Sequence, residues 1–258
     1  MDKSSVGGVT LALGGIVAGL MIEGGNLRQI IQPTAAIIVL GGTVGAVMLQ
    51  FPLGTVLGAA RQLIHVFTGS APDGQAALRQ IIDFANKARR NGIVSLDQDL
   101  PSVQDPFMRQ ALTLAIDGTN PDEVRKIMQL EIDNQAEMEE RIPQVFESAG
   151  GFAPTIGILG AVMGLIQVMQ HLDKVDEVGR GIAVAFVATI YGVGTANLIF
   201  LPSAGKLKIR NHERQNVQQM VLEGVVSILE GMNPRVIEMK LGTFLSEQRA
   251  VESETVEA

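Results

Sequence analysis

SAGGFAPTIGILGAVMGLIQVMQHL, residues 148–172, contains no Asp, Glu, Lys or Arg between Glu147 and Asp173. A helix crossing the hydrocarbon core of a bilayer needs about 20 mostly apolar residues, and about 17 at the least. A charge at its centre costs about 2.5–3.5 kcal/mol on insertion scales. The stretch is long enough and clean enough to span. Three other charge-free gaps match it, from Lys3 to Glu23, Arg28 to Arg61, and Arg180 to Lys206. The next longest, Gln62 to Pro72, is too short. The spacing predicts transmembrane helices at 4–22, 34–51, 149–170 and 181–202, and no strand pattern competes with them. The expected fold class is an all-α membrane protein with four transmembrane helices, a helical cytoplasmic insert between spans two and three, and a cytoplasmic C-terminal helix.

Composition agrees. The 258 residues are 47% hydrophobic and 18% charged, against about 25% charged in soluble domains. Mean hydropathy is +0.27. The net charge of −7 lacks the basic footprint of a nucleic-acid binder, so no nucleic-acid partner is expected. The absence of cysteine excludes disulfides, cysteine metal sites and thiol nucleophiles. His65, His171 and His212 are too few and too scattered for an imidazole metal site. The first gap has no basic n-region beyond Lys3 and no A-x-A pattern before Glu23, so it reads as a span rather than a signal peptide.

The loops set the orientation. Arg61 follows span two, Arg141 precedes span three, and Lys206, Lys208, Arg210 and Arg214 follow span four. The positive-inside rule places residues 52–148 and both termini in the cytoplasm. Within that insert, Leu78, Ile81, Ile82, Ala85 and Ala88 recur at helical spacing and Asn91-Gly92 ends the helix. A second stretch around Leu112, Leu114 and Ile116 stops at Gly118, and a polar helix restarts at Pro121-Asp122-Glu123 and leads into span three. After span four a helix continues from Lys206 to Leu229, Gly231 to Pro234 breaks it, and a short amphipathic helix covers Arg235 to Leu245. The acidic tail, Glu247 to Ala258, is polar and is expected to be disordered.

Each span carries small residues four apart: Gly15 and Gly19, Gly41 and Gly45, Gly160 and Gly164, then Ala188, Gly192 and Ala196. That spacing lets helix backbones approach closely in lipid, and one such stripe in each of four spans points to an assembly. The chemistry of the spans is sparse. They hold Thr10, Thr43, Thr155, Gln167, Thr189, Tyr191, Thr195 and Asn197, but no carboxylate, Lys or Arg. Pumps and proton relays place ionisable groups there. If this chain conducts protons, the titrating acid must come from another chain. No nucleophile–base constellation, P-loop or dinucleotide fingerprint is present, so neither an enzyme nor a cofactor is expected.

The order of motifs resembles one family. ARRNGIVSLD at 88–97, APTIGILGA at 153–161, ATIYG at 188–192, ANLIFLP at 196–202 and EGMNPRVIE at 230–238 together look like the A subunit of the bacterial flagellar motor stator, MotA/PomA, in its shorter MotC-like type. The resemblance implies a homopentamer around two single-span MotB/PomB-type B subunits, one membrane aspartate on each B subunit, and torque delivered to the rotor protein FliG. It implies four domains: an N-terminal hairpin (1–51), a rotor-facing domain (52–148), an ion-path hairpin (149–202) and a C-terminal part (203–258). The location it implies is the bacterial inner membrane.

Carried over by position, Pro154 and Pro202 match the family's prolines near the cytoplasmic ends of spans three and four, where loss of a helix hydrogen bond favours a joint. Thr189 matches the threonine beside the ion path. Ala161, expected at comparable depth, stands where sodium-driven relatives tend to carry threonine; a methyl cannot help coordinate sodium, which favours protons. Thr189 has a plainer reading, a hydroxyl bonded back to its own helix. Arg89 and Asp97 match the charged pair that meets the rotor, with Arg90 auxiliary. Asp97 departs from the family's usual Glu and reaches one methylene less far. Two other readings compete: an ExbB/TolQ-type energiser of outer-membrane processes, which usually has three spans, and a non-conducting membrane scaffold or transporter.

Overall fold

A computed structural model describes residues 3–68 and 73–257. Helix α1, Lys3–Ile22, is followed by a single turn at Leu27–Gln29 and by α2, Pro33–Gln50. Then come α3 (Leu53–Thr68), α4 (Gly74–Asn91), a 3₁₀ run at Ile93–Ser102 and α5 (Pro106–Ile116). Two long helices follow, α6 (Pro121–Gln170) and α7 (Val175–Leu229), and α8 (Pro234–Glu257) ends the chain. No strand occurs among the described residues. Four helices, α1, α2, α6 and α7, are long and apolar enough to cross a membrane.

The helix ends follow local chemistry. Asp73 caps α4 by accepting from the Ala76 N–H at 2.9 Å, and Asp105 caps α5 by accepting from Phe107. Gly92 and Gly118, at φ of +80° and +81°, take the left-handed conformation that stops α4 and the α5 segment. Asp122 and Glu123 sit in the first turn of α6, and Asp176 and Glu177 in that of α7, where the helix dipole favours negative charge. That is why α7 begins at Val175, ahead of the charge-free segment.

The polar helix leads into span three as one continuous helix, which neither Pro143 nor Pro154 interrupts. Two features differ from the sequence reading. Helix α8 runs on to Glu257, well past Leu245; no Gly or Pro follows Gly242, and Glu, Gln, Arg and Ala favour the helix. The chain also turns in π conformation at Ile37–Gly41 in α2 and at Ala196–Phe200 in α7. The second π turn has a clear cause. Pro202 has no N–H and its ring collides with a carbonyl four residues back. Widening the preceding turn, so that the Leu201 N–H donates to Ala196 O, relieves the collision without ending the helix.

The chain divides into two compact units. The membrane unit comprises 1–70 and 140–208, and the second unit 71–139 and 209–258. Helices α6 and α7 contribute to both. The second unit has the larger core, with Ile81, Leu96, Met108, Leu112, Met128, Leu222, Ile237 and Leu241 all at 0–1% exposure. The membrane unit has two small cores, one around Val145, Phe146 and Leu207 and one around Val39, Val184 and Ala188.

Candidate functional site

Glycine sets the spacing between α6 and α7 in the membrane unit. A Cβ added to Gly192 would stand 2.5 Å from Ala153 O and 3.2 Å from Pro154 Cα. One added to Gly157 would lie 2.9 Å from Ala188 O, and one on Gly164 2.8 Å from Gly181 O. Backbone thus meets backbone along this antiparallel pair, as small residues permit in lipid. Helix α2 closes the third side, where a Cβ on Gly42 would meet Ile156 Cγ2 at 2.8 Å. Of the four small-residue stripes, Gly160/Gly164 and Ala188/Gly192 are used within the chain. Gly15, Gly19, Gly41 and Gly45 face nothing within 4 Å.

Three of the four predicted ion-path residues lie along this pair. Pro154 is half-buried and level with Gly192. Its missing N–H leaves Gly150 O without its helical donor. A Cβ on Gly160 would touch Ala188 Cβ at 2.8 Å, so Ala161 and Thr189, each the next residue along its antiparallel helix, lie within about 3 Å of one depth. Both are half-buried. Pro202 is exposed and follows the π turn, near the level at which Gly150 meets Leu201.

The polar groups of the spans are mostly spent on backbone. Thr189 Oγ1 donates to Ala185 O at 3.2 Å, its plainer reading; its lone pairs remain available. Thr43 donates to Val39 O, Thr155 to Phe152 O, Thr195 to Tyr191 O, and Asn197 to Val193 O. Tyr191 reaches across helices. Its hydroxyl donates to Ile30 O at 2.6 Å and accepts from the Gln32 N–H at 3.3 Å, fastening the entry to α2. Beyond the spans' turn, His171 lies 3.1 Å from Gln167 O through Nδ1 and 3.3 Å from Glu177 through Nε2.

In the second unit, Arg89 and Arg90 occupy the last turn of α4 and Asp97 lies in the 3₁₀ run; all three are exposed. Arg89 also borders a small groove with Ala85, Ala88, Ile93, Ile228 and Met232. The ion pair that closes this corner is one the sequence reading missed, Lys87 to Asp99 at 2.6 Å. It ties α4 to the 3₁₀ run, so the three predicted charges are left facing outward. Also unforeseen is Glu223, which binds Arg125 of α6 and, at 2.7 Å, Lys240 of α8. Burial pushes its carboxyl up, but the bonds from Arg125 and Lys240 outweigh burial and hold it below the usual carboxylate range. The Glu223 bond in turn raises Arg125. His212 is exposed, and His65 lies outside the residues whose side chains are described. Among the described residues no cluster of His, Asp or Glu is arranged to hold a metal.

Comparison with known proteins adds a family. Residues 99–220 match the MotA/TolQ/ExbB proton channel family, and residues 6–92 match the motility protein A N-terminal region. The chain is 34% identical over 249 residues to motility protein A of Bacillus subtilis (strain 168), covering 95% of this chain and 91% of that one. Its fold matches C. jejuni MotAB with a TM-score of 0.90 at 31% identity, covering 95% of this chain and 96% of the other. The flagellar MotAB stator complex of Bacillus subtilis matches with a TM-score of 0.85 at 33% identity, covering 94% and 96%.

Proposed function

This chain belongs to the motility protein A family, within the MotA/TolQ/ExbB proton channels, and from that premise we propose how it works. It is a multi-pass membrane protein and a subunit of the flagellar stator channel. It couples proton flow to torque, sits in the bacterial inner membrane with both termini cytoplasmic, and forms a pentamer around two MotB/PomB-type B subunits. The observation that carries this reading is a close-packed pair of membrane helices without an acid. Gly157, Gly164 and Gly192 bring α6 and α7 backbone to backbone, while the charge-free segments supply no carboxylate, Lys or Arg. The acid is the B subunit's membrane aspartate.

The residues take these parts. Pro154 and Pro202 flex the helices of the ion path, Thr189 offers its free lone pairs beside it, and Ala161 keeps a methyl where a hydroxyl would favour sodium. Residues 149–202 act as the ion-path hairpin beside the N-terminal hairpin of 1–51. Residues 52–148 present Arg89, Arg90 and Asp97 to FliG, and 203–258 complete that cytoplasmic part. Exposed charges give steering and specificity more than affinity, which suits a contact that forms and breaks at every step.

The test is purification in mild detergent from the native membrane, with identification of what co-purifies. A single-span protein carrying a membrane aspartate and a peptidoglycan-binding domain is expected. An ExbD- or TolR-type partner would move the role to outer-membrane energisation, and a stable assembly with no carboxylate-bearing partner would overturn the proposal.

A further inference from the structure

A cavity of about 410 Å³ opens in the second unit where the start of α5 meets α6 and α7. Pro106, Phe107 and Val217 form its apolar wall, the last two at 6% and 8% exposure. Its polar lining is Asp105, Gln110, Glu131, Gln135, Arg214 and Gln218. Asp105 spends one oxygen, Oδ1, on the Phe107 N–H. Glu131 is exposed and pairs with no cation among the described residues. From this lining we infer that the cavity binds a short aliphatic polyamine, one ammonium against Asp105, another against Glu131, and the methylenes between them along Phe107 and Val217.

The hydrogen bonds behind the lining fix its polarity. Arg214 donates to Glu139 Oε1 at 2.9 Å, so the one cation in the lining is already matched by an acid outside it. Gln135 Nε2 donates to the same oxygen at 2.9 Å, because a carboxylate only accepts. That turns Gln135 Oε1 toward Gln218, whose Nε2 donates to it at 2.8 Å. Gln218 is 7% exposed, and its Oε1 is left without a donor among the described residues. A buried acceptor with no donor is costly. The cavity therefore offers two carboxylates and a buried amide oxygen, all of them acceptors. An anion would face both carboxylates, and an apolar ligand would leave every acceptor unfilled. A polyamine brings N–H donors, positive charge and a methylene stem that can lie on apolar wall, as a lysine stem does. Asp105 offsets the positive end of α5, so the helix start does not repel the ammonium. Bound there, the ligand ties α5 to α6 and α7 and stabilises the second unit by mass action. This binding requires neither ion conduction nor a given membrane orientation.

The experiment is isothermal titration of the full chain, purified with its co-purifying partners in an uncharged detergent, with 1,4-diaminobutane, butylamine and inorganic phosphate as probes. Wild type, Asp105→Asn, Glu131→Gln and Glu238→Gln are compared. Asparagine caps a helix about as well as aspartate, and Glu131→Gln breaks no ion pair, so both variants should elute at the wild-type volume in size exclusion. Glu238 is an exposed acid of α8 outside the cavity and serves as the control. Wild type is expected to bind about one 1,4-diaminobutane per chain, with butylamine roughly tenfold weaker because it can meet only one carboxylate. Asp105→Asn and Glu131→Gln should each weaken the diamine roughly tenfold, and Glu238→Gln should leave it unchanged. Phosphate should not bind. No binding of the diamine to wild type, or equal affinity in all four proteins, overturns the proposal. Equal weakening by Glu238→Gln would reduce the effect to the charge of the surface. Binding of phosphate in preference to the diamine would make Arg214 the ligand instead; either result also overturns it.

Discussion

The membrane unit and the second unit are stabilised in opposite ways. The second unit encloses a broad apolar core from Ile81 to Leu241 and ties α6, α7 and α8 together through Glu223. The membrane unit has only small cores; its closest contacts are glycines against backbone, and Gly15, Gly19, Gly41 and Gly45 face open space. Water drives burial in the first case. In lipid that drive is absent between helices and close packing replaces it. The second unit is thus finished as a single chain. The membrane unit leaves faces open to whatever surrounds it in the bilayer.

The sharpest way to break this contrast is a bulky residue at a closed glycine. Gly192→Leu would drive a side chain into Ala153 O and Pro154, where backbone cannot yield, and overpacking of this kind costs at least about 1–3 kcal/mol. We expect no folded protein to be recovered from the membrane, read by size-exclusion of detergent extracts. Gly45→Leu meets nothing within 4 Å, so the chain should fold while the assembly shrinks in mass. Equal behaviour of the two variants would erase the distinction between closed and open faces.

Next comes Arg89→Glu, which reverses an exposed charge that no internal contact needs. Swimming should be abolished in a cell without a second stator, with membrane level and assembly mass unchanged. Normal swimming would remove the rotor-contact role of this helix end.

Smaller in effect is Glu223→Gln. Losing the charge and one of the two acceptor oxygens that serve Arg125 and Lys240 should destabilise the second unit by about 1–3 kcal/mol, read by chemical denaturation followed at a probe in that unit. The sign with pH follows from the lowered carboxyl. Its folded pKa lies below its unfolded one, so the contribution is present at neutral pH and is lost as pH falls through the folded value. The variant should lack that acid-side loss. The least costly change is Thr189→Val. The hydroxyl bonds only its own helix at Ala185 O, so thermal stability should shift by less than about 1 kcal/mol. Proton conduction by the assembled complex should nevertheless fall if the hydroxyl's lone pairs serve the path; unchanged conduction would return Thr189 to the plainer reading.

What the sequence made legible is whatever depends on local chemistry. The charge-free gaps located four spanning helices because a charge in hydrocarbon is costly. Asn91-Gly92, Gly118 and Gly231–Pro234 marked helix breaks because few residues take a positive φ. Cross-chain pairings were not legible, since nothing in the order of residues says that Tyr191 meets Ile30 and Gln32, that Lys87 meets Asp99, or that Glu223 gathers cations from two other helices. The π turn before Pro202 also escaped notice, although the proline that causes it was visible. A proline announces a missing bond without saying whether the helix kinks, ends or widens. The candidate site divides in the same way. Pro154, Ala161, Thr189, Pro202, Arg89, Arg90 and Asp97 were singled out by motif, whereas the register of those in the spans came only from glycine contacts between helices.

The central claim is that this chain builds a proton path but does not carry its acid. The most direct test is proton flux into vesicles under an imposed membrane potential, with the purified chain reconstituted alone and together with its single-span partner. The account predicts no flux above empty vesicles for the chain alone. It predicts flux with the partner, abolished when the partner's membrane aspartate is replaced by asparagine. Proton flux through the chain alone would contradict it.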